Sequence, residues 1–186
     1  MDKAKIKAAV KELLMAIGED PQRESLRDTP RRVAEMYEEI FGGISTDPRE
    51  QLRVFSTKNQ DEMILVRDVP FYSVCEHHLM PFFGVAHVAY IPNNDQITGF
   101  SSLVRVVDTM SRRPQLQERL TTEIADILVE VLRPKGVLVV IEAEHMCMTM
   151  RGVKKPGSVT TTSAMRGVMR KEATRAEAFS LIKGQK

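Results

Sequence analysis

What most restricts the fold of this chain is the order in which its apolar residues change period. Ile6, Val10, Leu13, Leu14 and Ile17 recur at helical spacing and end at Gly18. Val33, Met36, Tyr37, Ile40 and Phe41 form a second stripe. It is entered at Thr29-Pro30, an N-cap followed by proline at the first helical position, and closed by Gly42-Gly43. After Val54 the character changes. Met63–Val66, Phe71–Cys75 and Phe82–Ile91 are rich in β-branched and aromatic residues and read as strands. In the third, Val85, His87, Ala89 and Ile91 alternate with Ala86, Val88 and Tyr90, so both faces are expected to be covered. Pro92–Asp95 is a turn. Helical spacing then returns twice. Ser101 is placed as the cap of a helix carrying Leu103, Val104, Val107 and Met110, and Pro114 as the opening of a longer one that Pro134-Lys135-Gly136 stops. Val137–Ile141, His145–Met150 and residues 158–169 read as strands, and residues 173–183 as a terminal helix. The order is helices, strands, two helices, strands, helix. That is an α+β pattern and excludes βαβ alternation. The expected division is a helical segment over 1–50 and the remaining domain over 51–186.

The 186 residues suffice for one core, with room for a small helical appendage. Hydrophobic residues at 42% and charged residues at 28% are those of an ordinary soluble protein. A net charge of +2 gives no bulk reason for a nucleic-acid partner, so any anion site must be local. No apolar run approaches a membrane span, and the first residues lead into an amphipathic pattern rather than a signal core. Two cysteines make no disulfide framework, and a cytoplasmic location is expected.

Composition does not account for Cys75-Glu76-His77-His78. Cys75 and His78 have the short spacing of a metal-ligand pair on a turn, and His145-Met146-Cys147 lies far along the chain. Together they offer Cys75, His78 and Cys147 as zinc ligands, leaving His77 and His145 over. Three ligands of this kind leave a fourth position for water, which separates catalytic zinc from structural zinc. A spare histidine beside such a site can move protons near neutral pH. Read alone, two buried cysteines fit an inert core equally well. His87, in an apolar strand, reads as structural. Arg32, Arg105 and Arg151, the last followed by Lys154 and Lys155, are candidate phosphate contacts, although each taken singly fits a solvated face. Glu118, beside Gln117, could accept hydrogen bonds from the N1–H and amino edge of guanine, an edge where adenine presents an acceptor.

Longer motifs join these residues. They are Gly18–Pro21, Thr29–Val33, Ser73–Leu79, Val88–Pro92, Arg113–Thr121, Glu142–Val153 and Thr162-Ser163. In this order, across nearly the whole chain, they resemble the zinc-dependent type I GTP cyclohydrolase family. The resemblance implies the tunnelling fold: an antiparallel sheet with two helices on one face, preceded by a helical part. It implies that Cys75, His78 and Cys147 hold zinc and that His77 and His145 are catalytic histidines flanking the purine. Gln117 and Glu118 would bind the guanine edge. Ser101, placed with the catalytic set, would join Arg105, Arg151 and Arg32 around the ribose and triphosphate. The implied reaction is hydrolysis of GTP at guanine C8, releasing formate and forming 7,8-dihydroneopterin triphosphate. The implied assembly is a homodecamer of two face-to-face pentamers with active sites between subunits.

Two positions depart from the family pattern. Ser102 stands where Gly-Leu-Ser-Lys is usual, and Val85 stands where lysine commonly follows the glycine. Both remove positive charge near the expected site. The alternatives are a related zinc enzyme with a different nucleotide tail, or a non-catalytic zinc-stabilised ring protein. The His-x-Glu and Pro-Cys-x-x-Cys signature of the nucleobase deaminases is absent.

Overall fold

A computed structural model describes residues 1–184. Residues 185 and 186, which the second expected segment includes, lie outside the described residues. The first helix, α1 (Lys3–Ala16), is capped by Asp2, whose carboxylate accepts the Lys5 N–H at 3.0 Å. Its Leu14 is buried, while Leu13 and Ile17 face solvent. Gly18, at φ +90°, ends it. Helix α2 (Thr29–Ile40) takes Asp28 as its N-cap rather than Thr29, with Pro30 in the first turn. The 3₁₀ turn Gly42–Ser45 follows. There a Cβ on Gly43 would lie 2.0 Å from the Thr109 carbonyl oxygen, so only glycine lets the backbone come this close.

Strand β1 (Val54–Ser56) pairs with β4 (Gln96–Thr98) in a small antiparallel ribbon. The main sheet is built from β2 (Ile64–Cys75), β3 (Met80–Ile91), β5 (Pro114–Gln115), β6 (Gly136–His145) and β7 (Val159–Gly167), in the order β5-β2-β3-β6-β7. Every pairing is antiparallel except the short parallel contact of β5 with β2. Two helices, α3 (Phe100–Ser111) and α4 (Gln117–Leu132), cover one face. Leu103, Val107, Leu120, Ile124 and Leu128 pack there on Phe71, Phe82, Ala86, Val88 and Tyr90. On the other face, α6 (Glu172–Lys183) brings Ala178 against Ala89, Leu138 and Val140. The far half of β3 is therefore buried on both sides, as its two alternating apolar sets require. This is the expected α+β arrangement, with a helical pair ahead of a sheet that carries two helices on one face.

Several local expectations are corrected. The runs Met63–Val66 and Phe71–Cys75 belong to one strand, β2, joined through a bulge between Val66 and Val69. Asp68 sits in that bulge at φ 56°, and its N–H donates to Nδ1 of the buried His87 at 3.1 Å. Ser101 caps nothing: α3 starts at Phe100 after Gly99, and no side chain bonds its first turn. Pro114 lies in β5 rather than opening α4. His145–Met150 is not a strand. β6 ends at His145, and Met146–Thr149 is a single helical turn, α5, that breaks the strand alternation.

Candidate active site

The chemistry-bearing residues meet at one end of the main sheet, where β2, β6 and α4 all begin or finish. Cys75 is the last residue of β2 and is buried. The turn after it is tight: Leu79, at φ 53°, donates its N–H to the Cys75 carbonyl at 2.8 Å. Glu76 is anchored outward by an ion pair with Arg119. Cys147 rides on α5, and His145 ends β6. One ligand atom from each of Cys75, His145 and Cys147 lies within 4.8 Å of the other two.

The His145 ring is held on two sides. It stacks on Phe82, its cross-strand partner, with ring centroids 4.6 Å apart and planes 2° from parallel. Its Nε2 lies 2.7 Å from Gln117 Oε1. Gln117 is 2% exposed, and its Nε2 donates to the carbonyl oxygens of Ile141 (3.0 Å) and Thr160 (2.9 Å) and to Thr162 Oγ1 (3.1 Å). The Thr162 hydroxyl in turn meets that of Thr121, which donates to the Gln117 carbonyl at 2.7 Å.

Burial holds His145 below its ordinary pKa of 6.5, with the Glu118 carboxylate pulling the other way. Burial also pushes the Cys147 thiol up, and the neighbouring Cys75 sulfur adds to the effect. A thiol raised in this way stays protonated at neutral pH unless a cation joins it. A divalent ion reverses that balance by direct coordination, so the donor set suits a soft-ligand metal such as zinc.

The other expected site residues are distributed more widely. His77 Nδ1 is 3.8 Å from Cys75 Sγ. His78 is exposed on the turn, and its Nε2 lies 3.3 Å from Arg151 Nη1 rather than with the thiols. Glu118 is exposed in the first turn of α4, near enough to His145 to act on its charge. The Gln117 amide is engaged by the buried network and by His145. Arg105 is exposed and donates to Ser102 Oγ at 3.0 Å, and Ser102 itself is only 3% exposed. Arg32 is exposed on α2, 3.9 Å from Asp28. Ser101 is exposed in the first turn of α3. Among the described residues no hydrogen bond or ion pair joins Ser101, Arg105 or Arg32 to the thiol cluster.

Phe82, Thr121 and Thr162 complete the site although their residue types announced nothing. The register sets Phe82 opposite His145, and a hydroxyl contact joins the buried Thr121 to the half-buried Thr162.

Fold and site together define an α+β protein with a candidate thiol–imidazole metal centre at the end of its main sheet. The GTP cyclohydrolase I family model matches residues 6–183, and the chain belongs to that family. Its relatives include the GTP cyclohydrolase 1 of Clostridioides difficile, 63% identical over 98% of this chain and 97% of that protein. The GTP cyclohydrolase 1 of Carboxydothermus hydrogenoformans is 63% identical over 98% of this chain and 95% of its own. That of Thermoanaerobacter pseudethanolicus is 59% identical over the full length of both. No helix among the described residues is long and apolar enough to cross a membrane.

Proposed function

We propose that this chain is a GTP cyclohydrolase, opening the guanine imidazole ring of GTP, releasing C8 as formate and forming 7,8-dihydroneopterin triphosphate. The observation that carries the reading is the convergence of Cys75, Cys147 and His145 from three separate elements onto one point. Family membership supplies the substrate.

Zinc is the metal this donor set favours, with Cys75, Cys147 and His78 as its ligands. When bound it supplies Lewis acidity that makes water nucleophilic at neutral pH. His78 Nε2 lies 3.3 Å from Arg151 Nη1, and its ring sits edge-on to that of His77. His145 is already fixed by Phe82 and Gln117, which suits a residue that must keep one orientation toward substrate. His145 and His77 handle the protons, because guanine C8 is a poor electrophile until N7 is protonated. Glu118 presents its carboxylate at the α4 N-terminus for the guanine N1–H and amino group, and adenine is refused there. Arg151 lies on the cluster side and takes phosphate.

Ser101, Arg105 and Arg32 belong to the same reading only if another copy of the chain brings them. The site is then completed between subunits, in a decamer of two pentamers. Exposed Tyr72 (75%), Phe100 (65%) and Val159 (62%), together with the outer edge of β7, unpaired among the described residues, give such an assembly apolar and main-chain contacts to close.

The test is to incubate zinc-loaded protein with GTP and to follow formate and the pterin chromophore together. Equal yields of the two are expected. Absence of both, from a protein that holds zinc and is assembled, would reject GTP as substrate.

A further inference from the structure

Gln117 is buried, lies next to the candidate metal centre, and has its amide engaged by the surrounding network. Four hydrogen bonds converge on this one side chain. Its amide has two distinguishable ends. One faces the carbonyl oxygens of Ile141 and Thr160 at 3.0 and 2.9 Å. Carbonyl oxygens only accept, so the end facing them is the NH₂ group. The alternative rotamer would turn Oε1 toward these two carbonyl oxygens, acceptor against acceptor, in a site only 2% exposed.

The hydroxyls agree with this orientation. Thr162 Oγ1 accepts from Gln117 Nε2 at 3.1 Å, so its own proton is left for Thr121 Oγ1 at 2.6 Å. Thr121 then donates to the Gln117 carbonyl at 2.7 Å. The bonds run in one direction around a closed loop that starts and ends on Gln117.

With the amide so fixed, Oε1 is the atom 2.7 Å from His145 Nε2. An acceptor at that distance requires a proton on Nε2. The geometry points to Gln117 as a positioning residue that holds His145 as the Nε2–H tautomer, so that the Nδ1 lone pair is the one nitrogen left for the reaction. Phe82, stacked within 2° of parallel, fixes the ring plane, and Gln117 fixes which edge of the ring carries hydrogen. The tautomer follows from the buried network alone and is the same whether Nδ1 meets a metal or a substrate. Its significance for turnover rests on the functional reading above.

The experiment is ¹⁵N magic-angle-spinning NMR on zinc-loaded full-length protein with labelled histidine. His145 is assigned by the signal lost in His145→Gln. The wild-type ring should show a protonated Nε2 and an unprotonated Nδ1. In Gln117→Met, which keeps the length of the side chain but removes the acceptor, the single tautomer should give way to a mixture. In the same variant kcat should fall by about 10- to 100-fold while KM for GTP stays within about twofold. The milder Thr162→Val, which removes one anchor of the amide, should loosen the tautomer in the same direction should Gln117→Met not fold. A wild-type ring carrying its proton on Nδ1, or a pure Nε2–H signal surviving in Gln117→Met, overturns the inference even if formate is released normally. Absence of formate release with the expected tautomer present leaves this assignment supported and rejects the cyclohydrolase reading instead.

Discussion

His78 and His145 both adjoin the thiols in sequence, yet the chain holds them differently. His78 sits exposed on a turn with Arg151 for company, whereas His145 is stacked, hydrogen-bonded and kept below its ordinary pKa by burial. If His78 is the third ligand, His78→Ala should lose most bound zinc by metal analysis. His145→Gln should then retain zinc while formate release drops by about 10²- to 10⁴-fold. The reverse pattern of zinc contents would make His145 the ligand. Ser102 offers a second test at this scale. It is buried under the Arg105 guanidinium where a lysine is usual in the family. Ser102→Lys has a long stem that can reach solvent beside Arg105. One added charge-assisted hydrogen bond is worth about 1.5–3 kcal/mol, so KM for GTP should fall by about 10- to 100-fold. An unchanged KM would mean that the triphosphate does not pass this residue.

The second 3₁₀ turn, Pro48–Gln51, is tied to α4 by Arg49, which lies 2.9 Å from Glu130 and 3.2 Å from Asp47. Asp47 is held below its ordinary 3.8 first by the Arg49 main-chain N–H, and Glu130 below 4.5 first by the Arg49 side chain. Carboxylates lowered in the folded state bind fewer protons there than in the unfolded chain. Their contribution is therefore present above about pH 4.5 and is lost as pH falls through the lowered values. All three groups are exposed, so salt screens them. Arg49→Gln should lower Tm slightly at pH 7, and the difference from wild type should vanish at pH 3 or in high salt. A difference that grows toward acid would contradict the sign.

Sequence pattern and structure diverge at this scale for identifiable reasons. The stripes of α3 and α4 and the β-branched runs of β2, β3 and β6 were legible because each of these elements buries a face. The join within β2 was not, because Arg67-Asp68 interrupts the alternation and the bulge is held by His87, nineteen residues on. His145–Met150 carries strand-like residues, but the backbone turns helical after His145. The two thiols announced themselves by residue type. The burial of Gln117 did not, since the first residue of an amphipathic helix usually faces water.

At the scale of the molecule, one chain gathers the thiols, His145 and Glu118, while Ser101 and Arg105 make no hydrogen bond or ion pair to them among the described residues and are assigned to another copy in the proposed function. Activity and assembly should therefore fail together. Val159→Lys puts a charge on the exposed edge strand, a common device against edge pairing. Mass photometry should show smaller species, with formate release falling in proportion, whereas full activity in a monomeric fraction would place the whole site in one chain. The edge itself has a further consequence. Among the described residues the sheet ends in an open strand on β7, and in the proposed ring every partial assembly has two adhesive ends. Closure removes both ends at once, so the last copy to join contributes more than any before it. Refolding yield should then be decided by the competition between closing and open-ended growth, and should improve on dilution until encounter itself becomes limiting.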